Sequence, residues 1–466
     1  MKTHSRNTAA TQIGELNLAP SDPGDLALNH VVTDSASRVE EVELPEGWQI
    51  RRLGDVGSVR YGLGQPPKQD PAGLPIIRAT NVKRGRISKE GLIRIKASAL
   101  PAGRNPFLKA GDIIVVRSGA YTGDVAMVTP EWEGAVAGYD LVLSLRDHLD
   151  SSFCAFQMLT NEVQGYFHGQ RDRSAQPHLN RQQLEAAEIL VPPVAEQRAI
   201  ASVLRTVQEA KEACERVLAA TRQLKQSLLH HLFTYGPVPF PQAAHVPLKE
   251  TEIGEVPESW PVVSIGELAT LVQYGTSSRC EVGGPGFPVL RIPNVVGGAI
   301  DTTELKYLPA SPAELERHRL KSGDILFVRT NGVRENVGRC AVYRDKPEDA
   351  LFASYMIRAR LSADKALPEF VQLFTETKAG RASFYGRASG AADGKFNINS
   401  QTIRSTLVPL PLLSEQRQIA RQLAAVGAKL AALESRRAAL AALFTSLLHH
   451  LLTARLRLPE FAGGSA

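Results

Sequence analysis

Cysteine is scarce in this 466-residue chain, and the setting of its four cysteines excludes several classes at once. Cys154, Cys214, Cys280 and Cys340 form no CxxC pair and stand at no Cys/His ligand spacing, so reduced thiols are expected, with no disulfide framework and no metal site. No run approaches the roughly 18 apolar residues of a membrane span. The first 43 residues lack the apolar segment of a secretory signal, which points to a cytoplasmic protein. Nucleotide loops are missing too. There is no GxxxxGKS or GxxxxGKT, and Gly62-Leu63-Gly64 runs into Gln65-Pro66-Pro67, which cannot open a helix as a GxGxxG turn must. No Asn/Asp-Pro-Pro-aromatic motif of the kind amino-methyltransferases use is present. The pairs His230-His231 and His449-His450 are adjacent on helical patterns, roughly 100° apart, so they cannot share an ion as residues at i and i+4 could. Asp112 and Asp324 stand in Gly-Asp turns before strands, where a carboxylate ordinarily caps its own backbone. No catalytic residue and no bound cofactor are expected.

What is present is a modest positive charge, 54 basic against 48 acidic residues for a net +6. Residues 1–43 hold three basic and seven acidic side chains, so the remainder carries about +10. A positive body suits a polyanionic partner. The acidic segment, rich in Ser, Asp, Asn, Thr and Pro, has no sustained periodicity and reads as disordered.

The chain is also built twice. LPEGW at Leu44–Trp48 returns as VPESW at Val256–Trp260, PIIRATNV at Pro75–Val82 as PVLRIPNV at Pro288–Val295, and AGDIIVVRS at Ala110–Ser118 as SGDILFVRT at Ser322–Thr330. The offset is 212 or 213 residues up to there and 219 from Asn180 and Asn399 onward, through EQRAIASVL and EQRQIARQL to a shared SLLHHL. A seven-residue drift therefore lies between Ser118 and Asn180. So long a period excludes a solenoid. Two duplicated domains follow, each a variable globular module and a long helix.

Within the modules, β-branched runs punctuated by Gly and Pro mix with helical patterns at Phe153–Phe167 and Leu367–Phe384, which is an α+β composition. Pro192-Pro193 and Pro409-Leu410-Pro411 end the last strands, and acidic first turns open the long helices. The expected division is a tail at 1–43, a module at 44–193, a helix at 194–234, a linker at 235–255, a module at 256–411, a helix at 412–455 and a tail at 456–466. Ile200, Val207, Cys214, Thr221 and Leu228 recur every seven residues, as do Ile419, Val426, Leu433, Leu440 and Leu447. Val203, Ala210, Val217, Leu224 and His231 widen the first seam, and Leu204, Leu218 and Leu232 form a second column. Such seams need a partner. The other long helix, antiparallel, with a module at each end and a pseudo-twofold axis between, is the simplest one, and a module wall is the alternative. The C-terminal end of the second helix is expected to be free to fray.

Arginine and amide residues beside turns recur in both copies: Arg78 and Asn81, Arg117 and Ser118, then Arg291 and Asn294, Arg329 and Asn331. Arg reads guanine and Asn reads adenine in the major groove. Positions equal in both copies cannot read different sequences, so they suit phosphate or the fold itself. Base contact is expected where the copies diverge: Lys83, Arg84 and Arg86 with Tyr121 and Thr122, then Arg334 and Asn336. A third group precedes the shared asparagine, Arg171, Arg173, Gln176 and His178 in one copy and Arg387, Lys395 and Asn397 in the other.

Taken in order and present in both copies, LPEGW or VPESW, P-x-x-R-x-x-N-V, GDI-x-x-x-R, the asparagine before a proline-bounded strand, and an EQ pair just after that proline, opening a long helix, resemble the specificity subunit of type I restriction–modification systems, over residues 44 to about 455. The resemblance implies two target recognition domains, each reading half of a bipartite duplex, with the helices as spacer and docking surface for two methyltransferase subunits. Restriction and translocase subunits join that core. S-adenosylmethionine, ATP and Mg would belong to the partners. Two other readings of the residues stay open: a coiled-coil adaptor, and the recognition part of a self-contained DNA methyltransferase.

Overall fold

Each module begins and ends on the same short ladder, which returns the chain to its long helix. Gln49–Arg52 pairs antiparallel with Glu188–Val191, and Val262–Ser264 with Leu407–Pro409. The structure is a computed structural model that describes residues 44–64, 68–101, 105–146, 149–171, 178–390 and 394–462. The acidic tail, Gln65-Pro66-Pro67, Arg173, Gln176 and the side chain of Arg171 lie outside the described residues.

At the centre of the first module is a four-stranded sheet in the order Gly57–Tyr61, Leu141–Leu145, Ile113–Val115, Val125–Met127. The second module repeats it with Ala269–Tyr274, Met356–Leu361, Ile325–Val328 and Cys340–Val342. Side chains alternate across a strand. Ile113, Val115, Leu141 and Leu143 accordingly face a helical layer containing Cys154, Phe167 and Leu184, whereas Ile114, Val116 and Val142 face a second small sheet. Ile325 and Phe327 against Leu326 divide in the same way. The expected helix at Phe153–Phe167 is two helices, Ser151–Gln157 and Asn161–Arg171, and that at Leu367–Phe384 is Pro368–Glu376 followed by Lys378–Tyr385. Thr377 makes the second break, because its hydroxyl accepts from the Gly380 N–H and caps the new helix.

The long helices run Val194–Thr234 and Leu413–Leu452, the first of 41 residues and so roughly 61 Å. They pack antiparallel: Cys214, Leu218 and Leu433 meet at the centre, with Arg222 and Glu434 paired at 2.9 Å beside them. Leu229, Leu232 and Phe233 at the end of the first enter the core of the second module beside Ile419 and Leu423. Conversely, Phe444 of the second helix stacks edge-on against Phe156 of the first module, and Leu452 O accepts from Gln157. Each helix thus starts in its own module and ends in the other.

The seam differs from the expected one in its middle. Val217 and Leu224 are 46% and 53% exposed, while Leu204, Leu218 and Leu232 are buried, so the working stripe is the second column joined to Ile200 and Cys214. Val207, Leu228, Val426 and Leu447 lie half-buried on its flank and Ile419 is buried. The twist of a straight α-helix against a strict heptad moves the widening column, at Val217 and Leu224, out of contact over these turns.

Both ends of the helix pair are tied. The Arg457 guanidinium grips Glu196 at 3.0 and 2.9 Å, and the Trp48 indole N–H donates to the same carboxylate at 3.1 Å. The second helix is therefore not free to fray, and what was expected as a tail continues into a short helix, Pro459–Ala462. At the other end His231 is buried, stacked on Phe240 of the linker at 4.0 Å.

The repeated EQ pair has a physical reason. Buried Gln197 donates to Pro192 O at 2.8 Å and accepts from the Asp150 N–H at 3.0 Å. Gln416 does the same with Pro411 O at 2.9 Å and the Leu367 N–H at 2.8 Å. One side chain satisfies backbone groups on two elements where a long helix leaves its module, the kind of burial that an unpaired backbone would forbid.

Candidate nucleic-acid interface

At one end of each four-stranded sheet, the strand ends bring together an arginine and two tyrosines. In the first module Tyr61 closes its strand, Arg117 follows Ile113–Val115, and Tyr139 precedes Leu141–Leu145. The Arg117 guanidinium lies 4.8 Å from the Tyr61 ring centre and 4.5 Å from that of Tyr139. In the second module Arg329 lies 5.0 Å from the ring of Tyr274, and its N–H donates to Tyr355 O at 3.0 Å.

These rings are held from behind. The Tyr61 hydroxyl accepts from the Arg181 N–H at 3.1 Å, and that of Tyr274 from the Ser400 N–H at 2.9 Å. Both are first-turn donors of helices capped by the shared asparagines: Asn180 accepts from the Gln183 N–H, and Asn399 from the Thr402 N–H. Gly62 and Gly275 follow the tyrosines because a Cβ there would stand 2.1 Å from the carbonyl oxygens of Gly138 and Phe352. Helix start, hydroxyl, ring and guanidinium form one positioning chain, repeated in both modules.

Tyr61, Tyr139 and Tyr355 remain 43%, 46% and 59% exposed. Aromatic faces around a fixed cation, left in solvent at a loop-bearing sheet end, suit a partner that offers phosphates and flat rings. Tyr121 stands exposed on the turn after Arg117. Beneath Arg117 lies Asp140, buried, with one oxygen accepting from the Arg117 N–H at 3.3 Å and the other without a hydrogen-bond partner among the described residues. Burial pushes its carboxyl up to about 6, against the pull of the Arg117 N–H and guanidinium. Met356 occupies the same register in the second module, one residue before Ile357 as Asp140 is before Leu141.

Other expected residues belong to the scaffold. Asn81 and Asn294 are buried, and each amide bridges its 3₁₀ turn to a loop: Asn81 donates to Ser88 O and Glu90 O, Asn294 to Asp301 O and Glu304 O. Both accept from the N–H of the arginine three residues earlier. Arg78 donates to Gly91 O at 2.6 Å and Arg291 to Glu304. Of the two roles expected for positions equal in both copies, phosphate or the fold itself, the two asparagines take the second, with their amide N–H groups spent on backbone carbonyls. Thr122 is likewise buried, donating to Gly119 O. Arg86 faces the first long helix, 3.7 and 3.5 Å from Glu212 and Glu215, and so joins the module to that helix. Lys83 pairs with Glu90 at 2.7 Å. Arg84 is exposed in the turn of the same hairpin at φ 37°, where the second copy has Gly297. Arg334 donates to Tyr385 O and Ala388 O, and Arg387 to Ser405, which fastens the chain between helix and sheet. Asn331 accepts from the Val333 N–H at 2.9 Å and Lys395 is exposed.

Asp112 and Asp324 cap their own turns, accepting from the N–H groups of Lys109 and Lys321, and each is also the buried half of an ion pair. Arg60 reaches Asp112 at 2.7 Å from one strand, while Arg360 grips Asp324 at 2.7 and 2.8 Å from another.

Sequence reasoning found Arg117 and Arg329 but missed the tyrosines, although VRYG and VQYG at Val59–Gly62 and Val272–Gly275 repeat at the common offset. Among the described residues no group of three or more His, Cys, Asp and Glu could hold a metal, and no helix is long and apolar enough to cross a membrane.

The profile of the type I restriction modification DNA specificity domain matches residues 45–219 and again 257–441. The Escherichia coli K12 protein named type I restriction enzyme EcoKI specificity subunit is 26% identical over 407 residues, covering 82% of both chains. The Methanocaldococcus jannaschii protein named putative type I restriction enzyme MjaX specificity subunit is 30% identical over 174 residues, 37% of this chain and 40% of that one. A crystal structure of the type I restriction–modification S subunit from M. genitalium shares the fold with a TM-score of 0.57 at 16% identity, over 87% of this chain and 96% of that one. With both modules and most of both long helices matched, the chain belongs to the type I restriction–modification DNA specificity family and carries its domain twice.

Proposed function

We propose that this chain is the non-catalytic reading subunit of its complex, that each module reads one half of a bipartite duplex, and that the paired helices fix the distance between the halves. The observation that carries this is the repeated Tyr–Arg pair, Arg117 over the ring of Tyr61 and Arg329 over that of Tyr274, with exposed Tyr139 and Tyr355 beside them, at the same sheet end of two modules held at opposite ends of a helix pair. A shared anchor for the sugar-phosphate backbone leaves base choice to the diverged loops around it. Two methyltransferase subunits dock along the helices, and restriction and translocase subunits join them. S-adenosylmethionine, ATP and Mg serve those partners, in the cytoplasm.

The test is selection from a pool of random duplexes by the purified full-length chain at about 50 and about 200 mM salt. Two short motifs at a fixed separation, with affinity falling steeply as salt rises, are expected. Retained duplexes without a bipartite motif would refute the reading. In a second assay, labelled methyl donor added to the chain alone should leave the duplex unlabelled.

A further inference from the structure

The seven-residue drift between the copies ends at one spot in the fold. From Ser118 the first module makes its excursion and returns at His178, bridged antiparallel to Ser118; from Thr330 the second makes a longer one and returns at Asn397, paired with Thr330. The backbone closes identically, because the next residue in each copy donates its N–H to the shared arginine's carbonyl: Leu179 to Arg117 O at 2.7 Å and Ile398 to Arg329 O at 3.0 Å. His178 and Asn397 therefore occupy one structural position, opposite the residue that follows the anchor arginine. Directly opposed residues in such a pair stand side by side on one face. The anchor is common to both copies, and the side chain beside it is not.

We propose that His178 and Asn397 are the module-specific reading position, the residue that chooses a base edge beside the shared arginine. The proposal rests on the DNA-reading function above. Chemistry differentiates the two. A guanidinium has no acceptor, so the Arg117 contact with His178 Nε2 requires that nitrogen to accept and places the imidazole proton on Nδ1. Burial, with the Arg117 charge beside it, holds the ring below its ordinary range and therefore neutral at pH 7. His178 thus presents a single N–H donor, which suits an acceptor on a base edge. The Asn397 carboxamide presents a donor and an acceptor together, the pattern that matches adenine in the major groove. One framework with two head groups gives two half-sites different sequences without a change of fold.

The experiment repeats the duplex selection with the full-length His178→Asn and Asn397→His variants, each introducing a residue that this position already accommodates in the other copy. The expected result for His178→Asn is a changed preference at one or two adjacent base pairs of one half-site only, with affinity for the original sequence lower by about fivefold or more. Asn397→His should alter the other half alone. If either variant keeps the original motif at undiminished affinity, the position does not read bases and the proposal falls. If His178→Asn weakens every sequence equally, the residue acts by holding Arg117 in place and the proposal falls equally. Circular dichroism and binding at the unaltered half-site confirm that each variant is folded. Failure of the unsubstituted chain to select any bipartite motif would instead overturn the function on which this inference rests.

Discussion

At the scale of single residues, the anchor arginines are half-buried cations held against tyrosine rings, Arg117 by Tyr61 and Tyr139 and Arg329 by Tyr274. Cation–π contacts of this kind contribute about 0.5–2 kcal/mol, enough to hold a guanidinium in one place before DNA arrives. Arg117→Ala or Arg329→Ala should weaken binding to all sequences alike and make the salt dependence shallower by about one charge, read by titrations at several salt concentrations. A new base preference would move these residues from anchor to reader. Asp140 offers a second test. Its carboxyl ionises at about 6 in the fold against 3.8 as its ordinary value, so the folded chain binds a proton more readily than the unfolded one. Its contribution to stability is present in full below pH 4, falls as pH rises through 6 and is flat above. The stability difference between the unsubstituted chain and Asp140→Asn should shift by at most about 3 kcal/mol between pH 4 and pH 7, against the unsubstituted chain. Chemical denaturation at the two values measures it. A constant difference would show an ordinary carboxylate.

At the scale of elements, the repeat made most of the fold legible, because two copies of one pattern locate what both must keep. Gly-Asp turns, proline stops and the long helices read directly, and Asn180 and Asn399 stood out before their capping role was visible. What could not be read was where a residue's polar atoms go. Asn81 has the right type for base contact, and only its burial against the Ser88 and Glu90 carbonyls removes it from that role. Arg86 looked like a loop cation until the hairpin was seen to face Glu212 and Glu215, which lie more than a hundred residues away in sequence. The tyrosines were missed because aromatic residues in a strand usually mean core, and nothing local distinguishes a ring at a sheet end from one in its middle. The EQ pair carries the clearest prediction at this scale. Gln197→Ala leaves the Pro192 carbonyl and the Asp150 N–H unsatisfied, at about 1–3 kcal/mol for each group that stays buried. Amide hydrogen exchange should quicken in Ser151–Gln157 and the first turns of the adjoining helix, while amides around Cys214 keep their protection. Uniform loss of protection would mean that the glutamine supports the whole fold.

For the whole molecule, the ends of the helix pair decide how it can act as a ruler. Lengthening the first helix alone would serve if the second could fray, but Phe444, Leu452 and Arg457 fix the second helix and its continuation to the first module. An insertion in one helix would set Cys214 and Leu433 out of register and pull Arg457 from Glu196. Matched insertions of one heptad, between Val207 and Leu218 in the first helix and between Leu430 and Leu440 in the second, lengthen both by roughly 10 Å and keep each seam facing its partner. At about 3.4 Å per base pair the selected spacer should grow by about three base pairs, with both half-site motifs unchanged. Three base pairs also turn one half-site by roughly 100° about the duplex axis, so a tenfold or greater loss of affinity from twisting the DNA is compatible with a correct new spacer. The single-helix insertion, made in parallel, should lower the unfolding temperature and select no sharper spacer. Matched insertions that bind well at the original spacing would show that the distance between half-sites is set by module orientation and not by helix length.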